Sequence, residues 1–361
     1  MTIDAQLLDS RTQLAQIDPN NVLGSIEALS DQVRQAWRDS QVCELNLPQI
    51  PQQIVVAGMG GSGLGASVVK HLFQSELKVP FQIVNDYELP GYVNKQTLVI
   101  LSSYSGNTEE TIACAQQALD KKAMTVVITA GGKLLQLANE HHWSVYQINS
   151  LYNPSNQPRM AIGYAIIGLI GILVRLNILS VSAKEIDQLA SQILIWNDIY
   201  SVESKQDQNQ AKTLAFALVD RRPNLVAAEF LTGACHVASN QFNENAKTFA
   251  SYYQIPEIDH HLLESLELPK SNHLDNIFLF FSSKLYLHRN QLRIDLTQEA
   301  VQRQGCETLA IPLTAPTRLE QVFELISLCA YTNYYLAMLH GIDPCQIKMV
   351  DWFKQQLEQA Q

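Results

Sequence analysis

Ile54-Val55-Val56-Ala57-Gly58-Met59-Gly60-Gly61-Ser62-Gly63 and Leu98-Val99-Ile100-Leu101-Ser102-Ser103-Tyr104-Ser105-Gly106-Asn107-Thr108-Glu109-Glu110-Thr111 are the two stretches on which the reading of this chain turns. In each, a short apolar run predicts a buried strand, and the glycines or hydroxyls after it predict a tight loop leading into a helix. The second loop sets hydroxyls and backbone N–H groups just ahead of a helix beginning near Thr108. There, unsatisfied amides and the positive end of the helix dipole favour an anion. Together the two junctions point to a small phosphorylated molecule.

Outward from these loops, strand-like runs alternate with helical ones. Residues Ile26 to Val42 have helical spacing, and Ile54 to Ala57, Phe81 to Val84, Leu98 to Leu101, Thr125 to Thr129 and Val145 to Ile148 read as strands. That rhythm predicts an α/β fold with a parallel sheet flanked by helices. The polar passage Tyr152 to Arg159, with Pro154 and Pro158, predicts a fixed loop before an apolar helix starting at Met160. Ser204 to Lys212 lacks apolar periodicity and reads as a surface connection. A second α/β cycle follows, with strands expected at Asn224 to Ala228, Ile277 to Ser282, Gln291 to Asp295 and Thr308 to Leu313. Helices are expected at Cys235 to Tyr252, Thr297 to Gln304 and Thr317 to Leu339. A last helix runs from Gln346, with Ile347, Val350 and Phe353 on one stripe.

The bulk numbers agree with two domains. A chain of 361 residues exceeds the usual size of one core, and 47% hydrophobic content is ample for two. A net charge of -10 removes any electrostatic reason to approach nucleic acid or an anionic membrane. An anionic substrate must then be met by local donors. The six cysteines form no CxxC or Cys/His pair, and no basic segment followed by an apolar stretch opens the sequence. Reduced, buried thiols in a cytoplasm are expected. The stretch Met160 to Leu179 carries Arg175 and three glycines, which favours a buried helix over a membrane span.

Gly58, Gly60 and Gly63 also satisfy G-x-G-x-x-G, with Asp86 further along. The pattern alone is weak evidence for a dinucleotide fold, since the acid is distant and such a fold has no use for the hydroxyl cluster after Leu101. Ser62 and the Ser/Thr set converge better on one compact anion. Here the chain resembles a known family. Gly58 to Gly65 and Ser102 to Thr111 are similar to the signature loops of the sugar isomerase (SIS) domain. The chain, nearly end to end, resembles the bifunctional phosphoglucose/phosphomannose isomerases. Further matches are Asn156-Gln157-Pro158-Arg159, Asn243-Glu244-Asn245-Ala246-Lys247, Pro256-Glu257-Ile258-Asp259-His260, and Gly341-Ile342-Asp343-Pro344 followed by Phe353-Lys354. The resemblance implies a helical segment over 1–45, SIS domains over 46–200 and 210–340, and a C-terminal helix over 341–361.

An aldose-ketose isomerase needs a phosphate anchor, a base, a stabiliser for the enediolate and acid/base help for ring opening. By resemblance, Ser103, Ser105 and Thr108 bind the phosphate with backbone amides, while Gly60, Gly61 and Ser62 line the sugar side. Ser105 or Thr108 can also serve as helix caps. Glu244, in a polar interval of an expected helix, is the candidate base, and a carboxylate partly removed from water would have a raised pKa. Arg159, a lone cation ahead of an apolar helix, suits the developing enediolate charge, with a structural salt bridge as the plainer role. His260 is the expected ring-opening residue, although family members read Asn-His-Asn where this chain has Asp259-His260-His261, which leaves His261 as an alternative. Lys354 matches the family's terminal lysine, with Lys348 as its rival.

The resemblance further implies a homodimer in which His260 is supplied across the interface. No metal or other cofactor is expected, because proton transfer through an enediol proceeds with side chains alone. The other histidines, including His141, His142 and His236, carry no metal pattern, and the single HxxE of His261 and Glu264 lacks a second pair. Two rivals stand beside the isomerase: a sugar-phosphate sensor without chemistry, and an enzyme of amino-sugar phosphates. A transcriptional sensor needs a basic DNA-binding unit, and the first 46 residues do not form one.

Overall fold

The computed structural model describes residues 5–360, so the outermost ends of the expected N- and C-terminal segments lie outside the described residues. Helices α1 (Arg11–Ile17), α2 (Val22–Glu27) and α3 (Leu29–Val42) lead into a parallel sheet of β1 (Gln53–Ala57), β2 (Phe81–Val84), β3 (Thr97–Ser102), β4 (Met124–Thr129) and β5 (Ser144–Gln147). Between its strands run α4 (Gly60–Leu72), α5 (Glu109–Asp120) and α6 (Gly132–Glu140). Helices α7 (Ile162–Arg175), α8 (Ala183–Tyr200) and α9 (Gln210–Ala217) carry the chain to a second parallel sheet of β6 (Arg222–Ala228), β7 (Ser251–Ile255), β8 (Asn276–Ser283) and β9 (Glu307–Leu313). Its connections contain α10 (Thr232–Asn245), α11 (Asn272–Asp275) and α12 (His288–Arg303), and α13 (Arg318–Leu339) and α14 (Lys348–Gln359) follow.

The sheets repeat one topology. The first has the order β2-β1-β3-β4-β5 and the second β7-β6-β8-β9, so in both the chain reverses direction beside its first strand. Loops at the carboxyl ends of strands flanking such a reversal diverge and leave a crevice, where α/β proteins bind ligands. Strands β1, β3 and β4 are buried on both faces, which explains their continuous apolar runs. One large cluster of buried residues joins both halves through α3, α4, α7, α10 and α13, and a smaller one backs the outer face of the first sheet. Each fully buried Ile or Leu of α7 adds about 1.5–3 kcal/mol. Helix α13 is long and apolar enough to cross a membrane, but it is buried along its length inside the protein.

Three expectations need correction. Gln291 to Asp295 belongs to α12, not to a strand, because Ile294, Thr297 and Val301 make a core-facing stripe of helical spacing that outweighs a brief alternation. The helix expected over Cys235 to Tyr252 stops at Asn245, and Ser251–Ile255 becomes the edge strand β7 beside β6. Its alternate exposure is that of an edge, which sequence periodicity reports weakly. Finally, the segment Ser204 to Lys212 is not all surface. Lys212 is fully buried, with Nζ donating to Asp9 Oδ1 at 2.6 Å and to the carbonyls of Val202 and Ser204 at 2.8 Å each.

Candidate active site

The glycine loop after β1 and the hydroxyl loop after β3 sit side by side at the reversal point of the first sheet. Ser62 ties them together: its Oγ accepts from the Tyr104 amide at 2.9 Å, and its carbonyl accepts from Ser102 Oγ at 3.1 Å. Ser103 is fully buried and its hydroxyl meets that of Thr108 at 2.8 Å, while accepting from the Gly106 amide at 3.1 Å. Ser105 faces solvent, and its Oγ accepts from the Asn107 amide at 3.2 Å. Thr108 is the N-cap of α5 by backbone position, yet its side chain makes no capping bond. The first-turn amides of α5 therefore remain available to an anion held among these hydroxyls.

The glycine loop reaches the third element of the site by close approach. A Cβ on Gly61 would stand 2.9 Å from the backbone of Pro158 and Arg159, so only glycine lets the two loops touch. The Tyr104 hydroxyl accepts from Asn153 Nδ2 at 3.1 Å and donates to Asn156 Oδ1 at 3.3 Å, fixing the polar passage against the hydroxyl loop. Arg159 lies in a 3-10 turn, Pro158–Met160, one residue ahead of α7.

The Arg159 side chain is 1% exposed, and all five of its N–H donors have protein acceptors. Nε donates to Asn245 Oδ1 at 2.5 Å, one terminal nitrogen donates to Gln157 Oε1 at 2.9 Å and Glu244 Oε2 at 3.3 Å, and the other donates to the Pro344 and Cys345 carbonyls at 2.8 Å each. Burial lowers the guanidinium's proton affinity, and the Glu244 carboxylate opposes that shift. Glu244 stands in the last turn of α10 with its side chain 30% exposed, so the pair has a dry half and a wet half. A polar residue in a final helical turn is ordinary. Here the turn faces the other sheet's loops, which brings the carboxylate of one half onto the cation of the other.

The remaining expected residues stand apart from this cluster. His260 ends the 3-10 turn Glu257–His260 after β7 and is exposed, and no hydrogen bond joins it to Arg159 or Glu244. The neighbouring His261 Nε2 contacts Glu257 Oε2 at 2.6 Å. Asp259 is held by Arg293 and Thr297 at 2.6 Å each, which pins the turn below the two histidines. Lys354 is exposed on α14, a helix with no buried residue.

Sequence reasoning missed the residues that back the arginine. Asn245 is fully buried and donates to Asn333 Oδ1 at 2.8 Å, while Gln241 Nε2 donates to the Arg159 carbonyl at 3.0 Å. The run of polar residues from Ser239 to Asn245, broken only by Phe242, was the available signal. A cavity of about 400 Å³ also opens beside the glycine loop, lined in part by Gly60, Asn85, His236, Asn240 and Tyr252. His236 is half-buried in the wall of this cavity, stacked on Tyr252 with ring centroids 4.5 Å apart, and burial lowers its pKa.

The corresponding junction of the second sheet is built differently. At the loop after β6, Glu229 adopts φ 47°, as Gly60 does after β1. Its carboxylate accepts from the Leu287 amide and Asn290 Nδ2 at 2.8 Å each, at the N-terminus of α12. The chain's own carboxylate thus stands just ahead of α12, where the loop before α5 carries hydroxyls.

Comparisons with known proteins find relatives for both halves of the chain. A family model described as the bacterial phospho-glucose isomerase C-terminal SIS domain matches residues 207–357, and the SIS domain model matches residues 50–146. A bifunctional phosphoglucose/phosphomannose isomerase of Caldicellulosiruptor bescii is 30% identical over 92% of this chain and 98% of its own length. The protein of the same description from Aquifex aeolicus is 28% identical over 84% of this chain and 90% of its own. Among solved structures, a hypothetical protein from Thermus thermophilus superposes with a TM-score of 0.76 at 17% identity, covering 99% of this chain and 94% of that one, which shows a shared fold.

Proposed function

Because this chain belongs to the bifunctional phosphoglucose/phosphomannose isomerase family, we propose that it interconverts glucose 6-phosphate, and mannose 6-phosphate as its C2 epimer, with fructose 6-phosphate. The observation that carries the proposal is the buried Arg159 paired to Glu244 at 3.3 Å across the two halves, beside an uncapped hydroxyl loop.

The phosphate is held by Ser103, Ser105, Thr108 and the first amides of α5, and the sugar runs along Gly60, Gly61 and Ser62. Of the five bonds from Arg159, the one to Glu244 is the longest and the only one to a carboxylate that reaches solvent. The C1–C2 oxygens of the open chain take that place on the guanidinium, which frees the carboxylate to accept a proton from one carbon. Glu244 returns it to the neighbouring carbon, and the cis-enediolate formed between the two steps is stabilised by the fixed cation. His260 and Lys354 assist ring opening.

A homodimer completes the reading. Its supports are the exposed, unattached His260 and the apolar face of α14, where Met349, Val350, Trp352, Phe353 and Leu357 are each at least 41% exposed. In this reading His260 acts in the partner's site, and the SIS units at 46–200 and 210–340 correspond to the two sheets. The six unpaired cysteines suit a reducing cytoplasm.

The test is direct. Fructose 6-phosphate supplied without metal or ammonia should yield glucose 6-phosphate in a coupled dehydrogenase assay, and mannose 6-phosphate should be consumed as well. Binding of these sugars without turnover would leave a sensor.

A further inference from the structure

We infer that Lys247 is a positioning residue for the isomerisation, clamping the end of α10 that carries Glu244 to the 343–345 segment that holds Arg159. This rests on the isomerase reading above. Helix α10 ends at Asn245, and Lys247 follows with φ 51°, the left-handed conformation that usually falls to glycine just past a helix end. A glycine would make that turn at lower conformational cost, so the turn itself does not call for lysine.

The ammonium explains the residue. Nζ donates to the Glu244 carbonyl at 2.9 Å and the Asp343 carbonyl at 3.0 Å, with the Asn245 and Pro344 carbonyls each at 3.3 Å. Two of these acceptors belong to the helix end and two to the C-terminal loop, so a single cation joins both. The Pro344 carbonyl also accepts from Arg159 at 2.8 Å. Lysine and arginine therefore share one acceptor, and the distance between base and stabilising cation depends on where that loop sits. Lys247 is an exposed residue, and its ammonium meets four carbonyls.

The charged and titratable groups around the tip are Arg159, Glu244, Asp343 and Cys345. Burial and the Arg159 charge bring the ammonium down to about 8, against the pull of Asp343 and Glu244. Above that pH the tip becomes a neutral amine with two donors for four carbonyls, and the clamp loosens. Turnover is then lost on the alkaline side, while phosphate binding, built on the other sheet, is kept.

Steady-state kinetics and amide hydrogen exchange on the full chain test the clamp. Lys247→Met should lower kcat about 10- to 100-fold with KM within about twofold, and amides of residues 341–347 should exchange faster than in the wild type. Lys247→Arg, which stays charged throughout, should abolish the fall in kcat above about pH 8. Wild-type kcat in Lys247→Met, an unchanged alkaline limb in Lys247→Arg, or unchanged exchange at 341–347 would each overturn the clamp. A wild-type protein that turned over no hexose 6-phosphate would instead overturn the isomerase reading, and the exchange measurement would still decide the clamp.

Discussion

Among single residues, Arg159 is the most fully committed: five donors meet five acceptors in a site it scarcely shares with water. A lysine there could serve at most three of them. Arg159→Lys should therefore lower kcat about 10²-fold or more, and Arg159→Met, which strands the acceptors and Glu244, should destabilise the fold by about 3 kcal/mol in denaturant titration. Glu244→Gln keeps the shape and removes the base. Its kcat should fall about 10²- to 10⁴-fold with phosphate affinity nearly intact, and retained activity would exclude Glu244 as the base. Ser105 is exposed and bonds only within its own loop, so Ser105→Ala should raise KM about tenfold and leave kcat close to wild type.

At the level of strands and helices, one strand–loop–helix unit occurs in both sheets and is used differently. After β3 a hydroxyl loop leads into α5, whereas the loop ahead of α12 is held by the Glu229 carboxylate through the Leu287 amide and the Asn290 side chain. The first outcome was legible in the sequence, because hydroxyls and glycine ahead of a helix are a local signal. The second was not, since Glu229 reaches a loop 58 residues away. Strand β7 escaped notice for a related reason: an edge strand buries half of its side chains and shows only a faint pattern. Helix α14 presents the opposite case, an apolar stripe legible at once and left exposed on the chain's surface. If the proposed homodimer forms through this stripe, replacing Trp352 and Phe353 by glutamate should shift sedimentation from dimer to monomer and reduce turnover with it, while melting stays close to wild type because neither side chain is buried in the protomer.

Across the molecule, the two halves meet where α4 and α10 pack, and the site exists only because they do. If His260 acts in the partner's site, mixing Glu244→Gln chains with His260→Ala chains must regenerate one intact site per heterodimer. Each heterodimer should then recover up to about half of the wild-type rate, although neither variant turns over alone. No recovery on mixing would place His260 in its own subunit's site or outside the reaction. The α/β fold and the hydroxyl-rich junction after Leu101 could be read from the chain before folding, because apolar runs and loop chemistry are local properties, whereas Arg159 and Glu244 were singled out by resemblance to the family. Three-dimensional packing alone put Glu244 against Arg159, set Asn245 and the carbonyls near Pro344 around the cation, and let Lys247 bind those parts together. Apart from the bond to Gln157, the contacts made by Arg159 link residues 85 and more positions apart, and their distances are set by how two sheets pack, which no local pattern encodes.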